Sequence, residues 1–232
     1  MVISNSEIME QDTLEIETTA DGSATLYRSD LDEHYHSVKG AMTESEHVYL
    51  KLGWETAVTL KPLLRVFEVG FGTGLNAALT ARAAFLREKH TDYFSIELYP
   101  LSTDVTGKLK YNKDSDFQRA FTAVNHAEWD KATEINPFFN IHKIKGDLLT
   151  TDLPPALDVV YYDAFAPEKQ PELWDEKIFR KIFDAMNPGG VLVTYCAKGC
   201  IRRMLNQIGF LTERLPGPPG GKREVLRATK PY

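Results

Sequence analysis

The sequence predicts an α/β fold: an open, mostly parallel sheet of seven strands, helices on both faces, and an antiparallel hairpin closing the C-terminal end. Three observations lead there. Short apolar runs rich in Val, Ile, Phe and Tyr alternate with longer stretches of helical periodicity, the pattern of β-α units around a parallel sheet. A glycine-rich turn, F-E-V-G-F-G-T-G-L-N, joins the first such strand to the first long helix. The last two strands are separated only by P-G-P-P-G-G-K, too short for a crossover helix, so they must pair antiparallel.

Taken in order, T-L-E-I-E-T-T-A-D-G-S-A-T-L-Y-R (13–28) alternates around Ala-Asp-Gly and reads as a hairpin. Thr43, with Glu46 three residues on, reads as the N-cap of a helix running through Trp54, and Pro62 ends that segment. L-L-R-V-F-E-V is a buried strand, L-N-A-A-L-T-A-R-A-A-F-L-R a helix, and Y-F-S-I-E-L a second strand ending near Glu97. Residues 101–140 read as helical pieces, with Phe117, Phe121, Val124 and Trp129 marking an apolar face. F-N-I-H-K-I-K and L-D-V-V-Y-Y-D are the third and fourth strands. K-I-F-R-K-I-F-D-A-M is a helix stopped by Asn187-Pro188-Gly189-Gly190, V-L-V-T-Y-C a fifth strand, and G-C-I-R-R-M-L-N-Q-I-G a helix closed by Gly209. This is the layout of class I methyltransferases. The domain division expected is an N-terminal extension, 1–57, packing on a catalytic domain, 58–232.

Composition is that of a soluble globular chain: 232 residues, 43% hydrophobic and 26% charged. No window offers the roughly 18 apolar residues of a membrane span, and the N-terminus lacks a signal-peptide core. A cytoplasmic monomer is expected. The net charge of −6 argues against a protein that coats nucleic acid, but its distribution is uneven. Residues 1–55 hold twelve acids against Arg28, Lys39 and Lys51, whereas eight basic residues from Lys198 onward face only Glu213 and Glu224. That asymmetry suits a protein touching a polyanion with one edge, and equally a solvated surface. Cys196 and Cys200 do not complete a metal site, and both are expected to be ordinary buried cysteines.

Gly70, Gly72 and Gly74 have the spacing G-x-G-x-G, not the G-x-G-x-x-G that places a pyrophosphate on a helix N-terminus. Glu68 precedes them by two. A carboxylate there would repel a phosphate and welcome a cation, which favours S-adenosylmethionine, a sulfonium with an ammonium and no phosphate, over a nicotinamide dinucleotide. Asn76 opens the following helix beside the same donor pocket. Glu97 can take both ribose hydroxyls, as it could in a dinucleotide enzyme. Asp147 can accept from an adenine amine, and Leu148 can pack on the ring. All these strand ends share the carboxyl edge of the sheet, where such folds bind ligands.

The fourth strand brings Asp163 to that edge, with no partner in its local sequence. Methyltransferases acting on exocyclic base amines carry Asn- or Asp-Pro-Pro-aromatic here. Asp163-Ala164-Phe165-Ala166-Pro167 has similar ingredients in another order. An aliphatic amine is mostly protonated at neutral pH. A carboxylate would attract it, accept a hydrogen bond and orient the neutral lone pair, with either Asp163 or water taking the proton.

D-A-F-A-P-E-K-Q-P-E-L-W resembles the signature of the methyltransferase domain of the bacterial bifunctional tRNA 5-methylaminomethyl-2-thiouridine biosynthesis protein and its stand-alone relatives. The resemblance extends to F-E-V-G-F-G-T-G-L-N, to D-E-H-Y-H-S-V-K-G-A-M-T-E-S-E-H-V-Y-L, and to the C-terminal run from P-G-G-V-L-V-T-Y-C to G-G-K-R-E-V-L-R. It covers most of 13–229 and is weakest over 101–140. It implies methyl transfer from S-adenosylmethionine to the primary amine of 5-aminomethyl(-2-thio)uridine at the tRNA wobble position. It also implies a donor pocket shaped by the three glycines, adenosine held by Glu97 and Asp147, Asp163 facing the amine and Phe165 walling the pocket. The chain ends at Tyr232 without room for the family's flavin-dependent oxidase domain, so the stand-alone form is expected, with a separate enzyme supplying the aminomethyl-uridine.

A wobble base in an anticodon loop can splay into a pocket. Tyr35, His36, Phe165 and Pro167 are candidates to receive it, while Trp174 is expected in the core. Lys198, Arg202, Arg203, Lys222 and Arg223 are candidates for phosphate contacts. The alternatives are a class I methyltransferase on a small-molecule or protein amine, a non-catalytic nucleotide-binding scaffold, and a dinucleotide oxidoreductase.

Overall fold

A computed structural model describes residues 14–58, 61–111 and 113–232. The acidic stretch 1–12, and Thr13 at the start of the expected hairpin, lie outside the described residues. Leu14–Thr18 (β1) and Ala24–Arg28 (β2) pair antiparallel across the Ala-Asp-Gly turn, as their alternation predicts, and a short strand, Glu33–His34 (β3), completes a three-stranded sheet.

The next helix, α1, is a continuous rod in three pieces: Ala41–Ser45, a π-helical stretch Glu46–Trp54, and Glu55–Ala57. Thr43 is not its N-cap. The helix starts two residues earlier, after Gly40, and the Thr43 amide and hydroxyl both donate to Asp21 Oδ2 of the preceding hairpin, at 2.9 and 2.8 Å. An acid from the turn thus satisfies a first-turn amide that a local cap would otherwise serve. The helix lies tight on the sheet. A Cβ on Gly53 would come within 2.9 Å of both Tyr161 Cε1 and Val193 Cγ2. Val48, Tyr49 and Trp54 are buried in the same apolar cluster as Val66, Tyr161 and Val193.

The remaining chain builds the main sheet. Its strands are Leu63–Val69 (β4), His90–Glu97 (β5), Ala132–Asn136 (β6), Phe139–Lys145 (β7), Leu157–Tyr162 (β8), Met186–Thr194 (β9), Leu211–Pro216 (β10) and Glu224–Thr229 (β11). The connecting helices are Leu75–Leu86 (α2), Thr103–Thr106 (α3), Ser115–His126 (α4), Glu176–Ala185 (α5) and Gly199–Ile208 (α6). The spatial order is β10-β11-β9-β8-β4-β5-β7-β6. β7, β5, β4, β8 and β9 run parallel, β11 is reversed between β9 and β10, and β6 is antiparallel to β7.

This sheet has eight strands where seven were expected. The additional strand, β6, falls in the region read as helical pieces. Its sequence, A-T-E-I-N, is an edge strand with no buried residue, so it lacks the apolar alternation by which strands are recognised. Trp129 correspondingly leaves the helix that carries Phe117, Phe121 and Val124. It follows the end of α4, bridges to Lys143, and sets its ring edge-on to Phe71 at 5.5 Å.

Strand periodicity sorts the core into two layers. Val66, Val159 and Tyr161 face α1, α2 and α4, while Phe67, Val69, Val160 and Tyr162 face α5 and α6. Continuing that alternation by two residues puts Glu68 and Asp163 on the α1 side of the sheet.

Candidate functional site

The carboxyl ends of β4, β5, β7, β8 and β9 open into a cleft of about 740 Å³, closed from the opposite side by Tyr35, His36 and Glu44. It lies where the chain's crossovers leave β4 in opposite directions, the position at which open α/β sheets bind ligands.

Gly70 and Gly72 of the glycine loop form its floor, while Gly74, expected to shape the donor pocket, lies outside the lining against Phe71 and Asn125. Gly70, Gly72 and Gly74 all take positive φ, at 86°, 51° and 79°. At Gly70 a Cβ would lie 2.8 Å from the Asp163 carbonyl oxygen, so a side chain is excluded by both conformation and space. Gly74 is the N-cap of α2. The Gly72 amide donates to Glu97 Oε2 at 3.1 Å and the Tyr99 amide to Oε1 at 3.0 Å, which fixes the Glu97 carboxylate at the cleft. Burial raises its pKa, and these amides oppose the shift. Asp147 and Leu148 line the cleft as well. Asp147 Oδ1 accepts from the Leu149 amide at 2.8 Å, and Leu148 is buried. The bare backbone floor, a fixed carboxylate at the end of β5 and a second acid beyond β7 fit a nucleoside carrying a cationic sulfonium. There is no cluster of basic side chains on the glycine loop to serve a pyrophosphate.

Asp163 lines the cleft and has a partner on each carboxylate oxygen, contrary to its isolation in the local sequence. Tyr49 Oη donates to Oδ1 at 2.5 Å and Asn76 Nδ2 to Oδ2 at 2.8 Å, while the Asp163 amide is tied to the Val69 carbonyl at 3.1 Å. Its pKa is pushed up to about 7, first by burial and then by the nearby Glu44 carboxylate. The Tyr49 and Asn76 hydrogen bonds and the Lys222 charge pull the other way. A carboxylate so placed can exchange a proton near neutral pH.

Two further expected donor-pocket residues are corrected. Glu68 does not line the cleft. It is completely buried beneath the loop, paired across the sheet with Ser95, whose hydroxyl donates to Oε2 at 2.7 Å. Burial raises its pKa to about 8, with Ser95 opposing and Asp163 reinforcing, so near pH 7 it is mostly neutral and offers no charge to a cationic ligand. Asn76 is likewise buried outside the cleft lining, and its amide is committed to Asp163. The strand and helix periods that bury these two residues outweigh the motif spacing that suggested them.

Among the candidate base-binding residues, Tyr35, His36, Phe165 and Pro167 line the cleft. Tyr35 and Phe165 meet edge-on at 5.1 Å. The His36 ring is engaged with Thr73 Oγ1 at 2.8 Å, and burial lowers its pKa to about 4, so it is neutral in the folded protein. Trp174 is in the core as expected, donating from Nε1 to the Phe165 carbonyl at 2.8 Å. Arg202, Arg203 and Arg223 lie outside the cleft lining, with Arg203 and Arg223 exposed. Lys222 departs from its expected place on a phosphate-binding surface. It turns into the cleft, with Nζ 3.7 Å from Glu44 Oε1 and 3.6 Å from the centre of the Tyr195 ring. Cys196 is buried at the cleft wall, while Cys200, expected to be buried, is exposed because it sits on the outer side of α6.

Sequence reasoning missed Glu44, Tyr49 and Tyr195. Glu44 and Tyr49 belong to α1, far from the glycine loop in sequence, and their spacing of five residues is not a same-face spacing in an α-helix, so no sequence signal joined them. Tyr195 follows β9 and donates to the Ala164 carbonyl at 2.9 Å.

Residues 127–231 match the family described as S-adenosyl-L-methionine-dependent methyltransferase. Two curated relatives carry the name tRNA 5-methylaminomethyl-2-thiouridine biosynthesis bifunctional protein MnmC. The one from Cupriavidus necator is 28% identical over 88% of this chain and 32% of its own length. The one from Pseudomonas fluorescens Pf-5 is 30% identical over 84% of this chain and 32% of its own. The chain therefore spans about a third of the length of the curated relatives it matches. Among solved structures, MNMC2 from Aquifex aeolicus superposes with a TM-score of 0.78 at 22% identity, covering 99% of this chain and 78% of that one. Spermidine synthase from Thermotoga maritima shares the fold with a TM-score of 0.56 at 15% identity, over 94% of this chain and 73% of that one.

Fold, cleft and family match together define a class I methyltransferase that uses S-adenosylmethionine. Within that class, the chain is similar over most of its length to the matching third of the MnmC proteins.

Proposed function

We propose that this enzyme methylates the primary amine of 5-aminomethyl(-2-thio)uridine at the tRNA wobble position, giving 5-methylaminomethyl(-2-thio)uridine and S-adenosylhomocysteine. The observation that carries the reading is Asp163, held by Tyr49 and Asn76 at the rim of a cleft with room for a nucleoside donor and a splayed base. The names of the relatives supply the substrate.

When bound, the donor supplies an electrophilic methyl group on a sulfonium. Gly70, Gly72, Glu97, Asp147 and Leu148 would hold it. Asp163 accepts a hydrogen bond from the amine and aims its lone pair. As the N–C bond forms at the expense of the methyl–sulfur bond, whose electron pair returns to sulfur, the nitrogen gives up a proton, to Asp163 or through it to water. Tyr35, Phe165 and Pro167 wall the base. Residues 14–57, the described part of the expected extension 1–57, cap the cleft, with Glu44 lining it and Tyr49 holding Asp163. Arg202, Arg203 and Arg223 meet backbone phosphates around the anticodon loop. The reading carries a monomer working in the cytoplasm on a primary amine that a separate enzyme has installed.

The test is methyl transfer from labelled S-adenosylmethionine to bulk tRNA from cells lacking this protein, with nucleoside digestion and mass identification. The expected product is a new methyl on the 5-aminomethyl group. Donor binding without any methyl on tRNA would overturn the substrate and send the search to small-molecule and protein amines.

A further inference from the structure

We propose that Glu44 and the face of Tyr195 form a cation subsite for the ammonium of the incoming acceptor amine, and that Lys222 of this same chain stands in that subsite until the acceptor displaces it. The proposal rests on the reading above only for the identity of the amine.

Glu44 is a first-turn residue of α1 that lines the cleft with only 7% of its surface exposed. One carboxylate oxygen is used, Oε2 accepting from the Ser37 amide at 3.0 Å. The other, Oε1, is buried without a hydrogen bond. A buried carboxylate oxygen left unserved in an apolar wall is costly, and its neighbour in space is the Lys222 ammonium at 3.7 Å, too far for a good hydrogen bond. That ammonium sits over Tyr195 at 3.6 Å from the ring centre, a cation–π geometry. The arrangement is a half-built ammonium box with an acid on one side and an aromatic face on the other. Asp163 is close by: the Glu44 charge helps to raise its pKa, and both carboxylates act on Tyr195.

Lys222 is suited to be a temporary occupant. Its side chain is 45% exposed, so it can withdraw to solvent by giving up its contacts with Glu44 and Tyr195. It leaves the P-G-P-P-G-G turn, whose Gly220 takes a φ of 72°. A primary ammonium presents the same charge and the same three donors as a lysine head group. An acceptor bringing one would exchange like for like, then lie beside the carboxylate that handles its proton.

The test uses the full chain with S-adenosylhomocysteine present and n-propylammonium as probe, its binding followed by calorimetry and by NMR line shifts. Lys222→Ala should bind the probe at least about tenfold more tightly than the parent protein. Adding Glu44→Gln to that variant should abolish the gain, and adding Tyr195→Leu should do the same independently should the Gln variant fold poorly. Equal affinity in the parent and Lys222→Ala proteins, or a gain that survives both second substitutions, would overturn the subsite. The tRNA methylation assay fails or succeeds separately. Probe binding that follows this pattern with no methyl on tRNA would leave the subsite standing and remove the tRNA substrate.

Discussion

Tyr49 and Asp163 are 114 residues apart in the chain, yet the Tyr49 hydroxyl donates to Asp163 Oδ1 at 2.5 Å. One comes from the π-helical turn of α1, the other from the end of β8, and the contact links the N-terminal segment to the reacting end of the sheet. π-Helical turns recur at functional sites, where the widened turn re-aims a side chain.

Because that hydrogen bond lowers the Asp163 pKa, its removal should raise it. Tyr49→Phe should move the acidic limb of the kcat/KM profile upward from about pH 7, costing roughly tenfold at neutral pH and less in alkali. An unmoved limb in a pH–rate series would mean that Asp163 does not set it.

Asp163→Ala should lower kcat by about 10²–10⁴-fold while leaving donor affinity within a factor of about three. Single-turnover kinetics and donor calorimetry separate the two. A parallel loss of donor affinity would assign Asp163 to the donor pocket.

Glu68 titrates in the opposite sense from a stabilising carboxylate. Its folded pKa of about 8 stands above the ordinary 4.5, so the stability it contributes is present in full below pH 4.5 and is lost as pH rises through 8. Glu68→Gln removes the titration. The variant should match the parent near pH 4 and exceed it at pH 8 by on the order of 1–3 kcal/mol in denaturant unfolding.

Gly70→Ala should reduce donor affinity at least about tenfold and destabilise the fold by roughly 1–3 kcal/mol, since the new Cβ meets the Asp163 carbonyl in a conformation L residues avoid. Calorimetry and thermal melting check the two parts.

Arg203→Ala and Arg223→Ala should each weaken tRNA binding and reduce the salt slope by about one, with donor affinity untouched. A salt slope equal to the parent's would remove these arginines from the RNA footprint.

The sequence by itself determined the alternation of strands and helices, the reversed hairpin at the C-terminal end, and the glycine loop with acids at successive strand ends. These follow from local causes: periodicity, turn chemistry, and residues that lie next to one another in the chain. Gly70, Glu97, Asp147 and Asp163 were therefore legible as cleft residues. Only the tertiary structure decided which acids carry charge and which groups serve them. Glu68 looked like a ligand because its spacing from the glycines was visible and its burial was not. Strand alternation places it under α2, where burial keeps it neutral near pH 7. Edge strand β6 was unreadable because a strand with no buried residue need not alternate. Glu44 and Tyr49 were out of reach, and Lys222 was assigned to phosphate and not to the cleft, for one physical reason. Tyr49 lies 114 residues from Asp163 and Glu44 lies 178 from Lys222, and only packing α1 and the C-terminal turn over the sheet edge brings each pair together.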